Sequence, residues 1–256
     1  VPFRQAQERV AAEECEMSGI DLRRRNFFKT SMGAAAVAIA PGILLFDTAY
    51  GKPPAGAGDG KVRWGMLIDT TQCREGCSDC VTACNKENGL PGGTSATAVQ
   101  WIRKVEIKEV STGRKMSLPM MCQHCEKPPC VDVCPTGASF KRHDGIVLVD
   151  RHLCIGCRYC MMACPYKARS FVHEPVTNQN PDVPRGKGTV ESCTLCVHRI
   201  DNGQQPACAE SCTNKAILFG DLNDPDSDIF RKIRSVASVQ LRADLRLNTG
   251  IRYQGL

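Results

Sequence analysis

Sixteen of the seventeen cysteines in this 256-residue chain fall into four crowded groups, and no other feature restricts its fold so strongly. The first is Cys73, Cys77, Cys80 and Cys84, in CREGCSDCVTAC; the second is Cys122, Cys125, Cys130 and Cys134, in CQHCEKPPCVDVCP. The third, CIGCRYCMMACP, holds Cys154, Cys157, Cys160 and Cys164. The fourth is Cys193, Cys196, Cys208 and Cys212, with eleven residues inside it. Aromatic residues make up only 5% of the chain, so bonds to these sulphurs replace part of the usual apolar packing.

The third group has the spacing C-x2-C-x2-C-x3-C-P, in which three thiolates hold one 4Fe-4S cubane and the fourth reaches another. The first three sit on a tight loop. The fourth follows one helical turn later and faces away, toward a neighbouring cubane. Each group therefore needs a partner group. Pro135 and Pro165 lack an amide N–H and restrict the residue before them, which shapes the exit from the loop.

The tails CPTGASF, CPYKARSF and CTNKAILF carry Ala four residues after the last cysteine and Phe shortly beyond, the mark of an internal repeat. The first group departs from this, since NKENG follows Cys84. Asp144-Gly145 between two β-prone runs predicts a hairpin, and WIRKVEI (residues 101–107) predicts a strand in the insertion after the first group.

Other uses of the same thiols fit less well. Structural zinc takes C-x2-C pairs at tetrahedral geometry and has no use for the third spacing. A disulfide framework would strain bridges across two-residue gaps. Cys73, Cys77 and Cys80 also match the C-x3-C-x2-C of radical enzymes that cleave S-adenosylmethionine, but Cys84 and three further groups complete a set of sixteen ligands. Neither C-x-x-C-H, GxGxxG nor GxxxxGK[ST] occurs, so covalent haem and bound nucleotide have no support. The formal charge of +6 is scattered, and the main domain lacks the dense basic block of a nucleic-acid binder. Met161 and Met162 read as cluster-shielding packing, and Trp64 and Trp101 as core or interface. The five histidines, His124, His143, His152, His173 and His198, have no site-forming spacing. Arg158, Lys167, Arg169, Arg199 and Lys215 either offset cluster charge or are ordinary surface charges.

The first sixty residues form a separate unit. LRRRNFFKTSMGAAAVAIAPGILLF has the layout of an export signal, and Arg24-Arg25 followed by Phe27, Phe28 and Lys29 resembles the twin-arginine type. That route carries folded proteins, which suits a chain that must take up its cofactor before export. Its apolar run of about seventeen residues sits at the lower limit for a bilayer span, so both cleavage and retention as an anchor stay open. A Gly/Pro/Ala-rich linker follows, and Cys15 reads as a bystander.

With all four groups in this order, residues 62–220 resemble the four-cluster iron–sulphur subunits of bacterial respiratory complexes, the dimethyl sulphoxide and polysulphide reductase family of electron-transfer subunits. CQHCEKPPCVDVCPTGASFKRHDGIVLVD, RGKGTVESCTLCVHRID and the tail RADLRLNTGIRYQGL are most similar to DsrO-type subunits of DsrMKJOP membrane complexes of dissimilatory sulphur metabolism. The resemblance implies an α+β fold with few regular elements: two ferredoxin-like modules with insertions within residues 61–256. One spans about 118–172; the other joins about 66–90 to 190–220. It implies four 4Fe-4S clusters. One takes Cys73, Cys77, Cys80 and Cys212; the second Cys193, Cys196, Cys208 and Cys84; the third Cys122, Cys125, Cys130 and Cys164; the fourth Cys154, Cys157, Cys160 and Cys134. The implied role is non-catalytic electron transfer on the periplasmic side of the cytoplasmic membrane. The implied partners are a polysulphide-reductase-type (DsrP-like) membrane subunit and a DsrJ-like multihaem cytochrome c, with DsrM- and DsrK-like subunits. A sister complex reducing polysulphide, tetrathionate or nitrite is the other reading the family allows, and an enzyme with an open cluster coordination is the rival from a different class.

Overall fold

Strand β1, Trp64–Asp69 (WGMLID), is buried over five of its six residues, the pattern of a central strand covered on both faces. It belongs to the computed structural model of the protein, which describes residues 61–256 apart from 94, 96 and 178. The twin-arginine segment, its apolar run, most of the linker and Cys15 lie outside the described residues.

β1 runs parallel to β10 (Ile251–Gln254), pairing Met66 with Ile251 and Ile68 with Tyr253. Parallel neighbours need a crossover, and here almost the whole cysteine-bearing domain is that crossover. On the other side of β1 lies β8 (Ile217–Asp221), antiparallel, with Ile68 opposite Ile217. β9 (Ser238–Val239) pairs with β10 to complete the order β8-β1-β10-β9. Met66, Ile68, Ile251 and Tyr253 are fully buried in this sheet. Gly65 is required there, because a Cβ would stand 2.4 Å from the Gly250 carbonyl oxygen.

The remaining strands form three two-stranded pairs. β2 (Ile102–Lys108) and β3 (Lys115–Met121) make a long hairpin, buried at the Ile102–Met121 root and exposed toward its turn. It contains the strand expected from WIRKVEI. β4 (Ser139–Lys141) and β5 (Val147–Val149) form the expected hairpin around Asp144-Gly145, though its connection spans residues 142–146. The Arg142 amide closes it on the Ile146 carbonyl at 2.8 Å. β6 (Arg169–Phe171) pairs with β7 (Val190–Ser192).

Short helices carry the cysteines: α1 Asp79–Glu87, α2 Pro129–Asp132, α3 Tyr159–Ala163, α4 Val197–Ile200 and α5 Ala207–Glu210. α1 packs on α5, and α2 on α3. The eight-residue α6, Asp228–Ser235, is capped by Ser227, whose hydroxyl accepts the Phe230 amide. The result is an α+β chain with few long elements. No helix among the described residues is long and apolar enough to cross a membrane.

Candidate iron–sulphur sites

The four groups share one local build, set by spacing. Cys80, Cys130, Cys160 and Cys208 each sit in the first turn of a helix, at α1, α2, α3 and α5. Cys84, Cys134, Cys164 and Cys212 follow four residues later, about one helical turn on. Cys164 is the C-cap of α3 with an extended backbone (φ −74°, ψ 112°), the conformation a following proline favours. No proline follows Cys84, and α1 runs on to Glu87.

Ahead of each helix the loop turns through a left-handed residue immediately before the second cysteine: Gly76, His124, Gly156 and Leu195 (φ between 42° and 75°). At Gly156 no side chain fits, since a Cβ would lie 2.2 Å from the Gly188 carbonyl oxygen. His124 and Leu195 bear the strain of that conformation. Behind the helix, Gly137, Lys167 and Lys215 are again left-handed, each three residues after the last cysteine. Lys167 and Lys215 therefore hold a backbone position equivalent to a glycine.

A strand then begins five residues after each last cysteine, at Ser139, Arg169 and Ile217. The bend aims amides at sulphur. Ala168 N–H donates to Cys164 Sγ (3.5 Å), Ala216 N–H to Cys212 Sγ (3.2 Å) and Ser139 N–H to Cys134 Sγ (3.4 Å). The repeated alanines Ala138, Ala168 and Ala216 are buried, which explains their small size.

None of the sixteen described cysteines is in a disulfide. They draw together across the chain. The Cys80 thiol lies within electrostatic reach of Cys73, Cys212 and Cys77, and Cys84 within reach of Cys193 and Cys196. Cys208 faces Cys196 and Cys84. Cys125 faces Cys122, Cys130 and Cys164. Cys134, Cys154, Cys157 and Cys160 line one hollow. The first group thus meets the fourth, and the second meets the third, as the helix packing requires. Cys193 also senses Cys122, which joins the two halves.

Burial makes these pockets hostile to a bare thiolate. It pushes Cys80 up to about 11 and Cys122 and Cys125 up to about 12, and it raises Cys84, Cys193 and Cys208 well above the ordinary value. Cys134 goes the other way: burial raises it, but hydrogen bonds from Ser139 and Thr136 prevail and hold it below the ordinary value. Buried sulphurs of this kind ionise when iron supplies the compensating charge. The donor set fits cubanes, which supply one-electron storage when bound.

Side chains complete the sites. Lys104 Nζ donates to Cys73 Sγ at 2.8 Å, and Arg169 Nη2 to Cys130 Sγ at 3.1 Å. Asn88 Nδ2 reaches Cys84 Sγ at 3.6 Å. Arg169 thus faces sulphur, whereas Arg158 lies 4.1 Å over the Phe171 ring, and Arg199 pairs with Glu87 and Glu210. His124 is fully buried, its Nδ1 accepting the Val147 amide at 3.0 Å, and burial followed by Arg169 lowers it to about 3. His198 binds Glu87 at 2.8 Å. Trp101 is core, and Trp64 stacks on Phe219. Met161 packs beside Cys160, but Met162 is 76% exposed and shields nothing, because α3 is only one turn long and turns that face to solvent. Lys104 and Asn88 escaped sequence reasoning: nothing in their spacing ties them to a thiol brought in by folding.

Comparison with known proteins points to the same cofactor. Two 4Fe-4S dicluster domain families match, one over residues 114–222 and one over residues 72–138. The chain is 40% identical over 267 residues to the Hdr-like menaquinol oxidoreductase iron-sulfur subunit 1 of Archaeoglobus fulgidus, covering 92% of this chain and 98% of the relative. It is 38% identical to a tetrathionate reductase subunit of Salmonella typhimurium, over 82% of this chain and 78% of the relative. It is 42% identical to NrfC of Escherichia coli, over 68% and 72%. Two dicluster domains correspond to four 4Fe-4S clusters. The chain belongs to the 4Fe-4S dicluster family, as a non-catalytic iron–sulphur electron-transfer subunit of an oxidoreductase complex.

Proposed function

We propose that the chain is a four-step electron relay whose clusters are held as the pairing of groups implies. Cys73, Cys77, Cys80 and Cys212 hold one; Cys84, Cys193, Cys196 and Cys208 the next. Cys122, Cys125, Cys130 and Cys164 hold the third; Cys134, Cys154, Cys157 and Cys160 the last. The burial of the thiols carries this reading. All eight of the two middle sets are buried, whereas Cys73, Cys77 and Cys212 at one end are partly exposed and Cys157 at the other is exposed. Electrons enter at one exposed end, pass through a dry interior and leave at the other. Two ferredoxin-like modules, α1 with α5 and α2 with α3, hold the pairs.

The relay belongs to a DsrMKJOP-type complex, as its DsrO-like subunit on the periplasmic side after twin-arginine export. It passes electrons between a DsrP-like quinone-interacting membrane subunit and a DsrJ-like multihaem cytochrome c, with DsrM- and DsrK-like subunits completing the assembly. The sequence words of the cysteine groups and the tail support this, as does the near full-length likeness to a menaquinol oxidoreductase subunit. The second reading, a tetrathionate- or nitrite-type reductase, has its support in the likeness to the tetrathionate reductase subunit and to NrfC. Anaerobic purification from native membranes tests both. About sixteen iron atoms per chain, four per cubane, together with membrane and multihaem partners are expected. Co-purification with a large reductase subunit instead would replace the first reading by the second, and a zinc-loaded colourless protein would refute both.

A further inference from the structure

Arg169 is the first residue of β6 and only 5% exposed. Its Nη2 donates to Cys130 Sγ at 3.1 Å. After burial, the groups acting on it most strongly are Cys130, Cys122 and Cys160. Among the described residues it forms no ion pair with a carboxylate, and its Nη1 is buried without a hydrogen-bond partner. A buried guanidinium needs anionic neighbours, and the acceptor present is a cysteine sulphur. Arg169 also lines the hollow shared by Cys134, Cys154, Cys157 and Cys160.

The internal repeat sharpens the point. The positions equivalent to Arg169, five residues after the last cysteine, are Ser139 and Ile217. Ile217 is buried against β1 and brings no charge to the clusters of the first and fourth groups. Duplication produced three matching strands, and one of them carries a buried cation.

We propose that Arg169 is a positioning residue shared by two cubanes: its guanidinium bridges the cluster on Cys122, Cys125, Cys130 and Cys164 and the cluster on Cys134, Cys154, Cys157 and Cys160, and raises both potentials together. Each cubane gains one negative charge when it accepts one electron, so a fixed cation between them stabilises both reduced forms. The inference rests on the ligand pairing proposed above.

The test is a spectroscopically monitored redox titration of the purified, iron-loaded protein and its R169Q and R169K variants. In R169Q two of the four midpoint potentials fall by at least 59 mV, a tenfold change in each one-electron equilibrium, while the other two stay in place. R169K, which keeps the charge without the fork, shows a smaller fall. A shift confined to one cubane, equal shifts in all four, or no shift overturns the proposal. Should the variants lose iron, hyperfine spectroscopy of the unaltered protein labelled with 15N-arginine decides. Nitrogen coupling to two reduced clusters is expected, and coupling to one or none overturns the sharing. The pairing is checked separately with C130S and C160S, which should alter two different cluster signals. If they alter the same one, the pairing fails and the bridge with it.

Discussion

Lys104 Nζ stands 2.8 Å from Cys73 Sγ, placing a cation from the β2–β3 hairpin against a thiol of the first cysteine group. The hairpin is an insertion between the first and second groups, and this contact is one way it reaches the cluster region. Because the pair is partly buried, solvent screens the charge only in part. Removing it with Lys104→Gln should lower the potential of one end cluster by some tens of millivolts, less than the roughly 59 mV of a tenfold effect. Redox titration checks this, with the other three potentials as internal controls.

The exchange of fourth ligands predicts which distant cysteines share a cluster. Cys212→Ser should perturb the same signal as Cys73→Ser, and Cys164→Ser the same as Cys122→Ser. Each should cost up to about four iron atoms per chain, one cubane. Iron analysis with spectroscopy of the reduced protein decides. Signals that follow sequence neighbours, Cys84 with Cys73 or Cys134 with Cys122, would refute the pairing.

Ala168 is 5% exposed, and its amide donates to Cys164 Sγ at 3.5 Å. Ala168→Val adds two methyl groups where the bend has no room. Overpacking of this kind costs about 1–3 kcal/mol, and the displaced amide loosens its sulphur contact. Lower thermal stability of the iron-loaded protein is expected, with faster iron release to a chelator. Val110→Thr, at a 98% exposed position on the β2–β3 turn, is the control and should change neither.

Glu87 ties the end of α1 to the fourth group, through His198 at 2.8 Å and Arg199 at 3.0 Å. Burial raises its pKa, but the hydrogen bonds from His198 and Arg199 prevail, leaving it below the ordinary 4.5. A carboxylate lowered by folding stabilises the protein fully above its unfolded value, and that contribution fades as pH falls through the folded value. Glu87→Gln should therefore cost about 0.5–1 kcal/mol at pH 7, given partial exposure. The difference from the unaltered protein should vanish below the folded pKa. Denaturant unfolding under anaerobic conditions between pH 7 and pH 3 measures it.

Much of the site could be read before folding was considered. Spacing placed Cys160 and Cys164 one helical turn apart, and the three alanine-bearing tails marked a repeat that reappears as strands starting at Ser139, Arg169 and Ile217. Asp144-Gly145 located the β4–β5 hairpin. Left-handed backbone was legible at Gly76 and Gly156, where glycine announces it, but hidden at His124 and Leu195. The charges near the groups could not be sorted by position alone. Arg169 turned inward, Lys167 took a glycine-like turn, and Met162 faced solvent.

The sequence by itself determined the cofactor chemistry, because ligand spacing, helical pitch and the proline exits act over a few residues and do not wait for the rest of the chain. Only the tertiary structure decided how β10 joins β1 in parallel, which thiols stay dry, and which cations touch sulphur. Those outcomes depend on contacts between segments far apart in the chain, where burial and low dielectric set the energies and no local pattern records the partner.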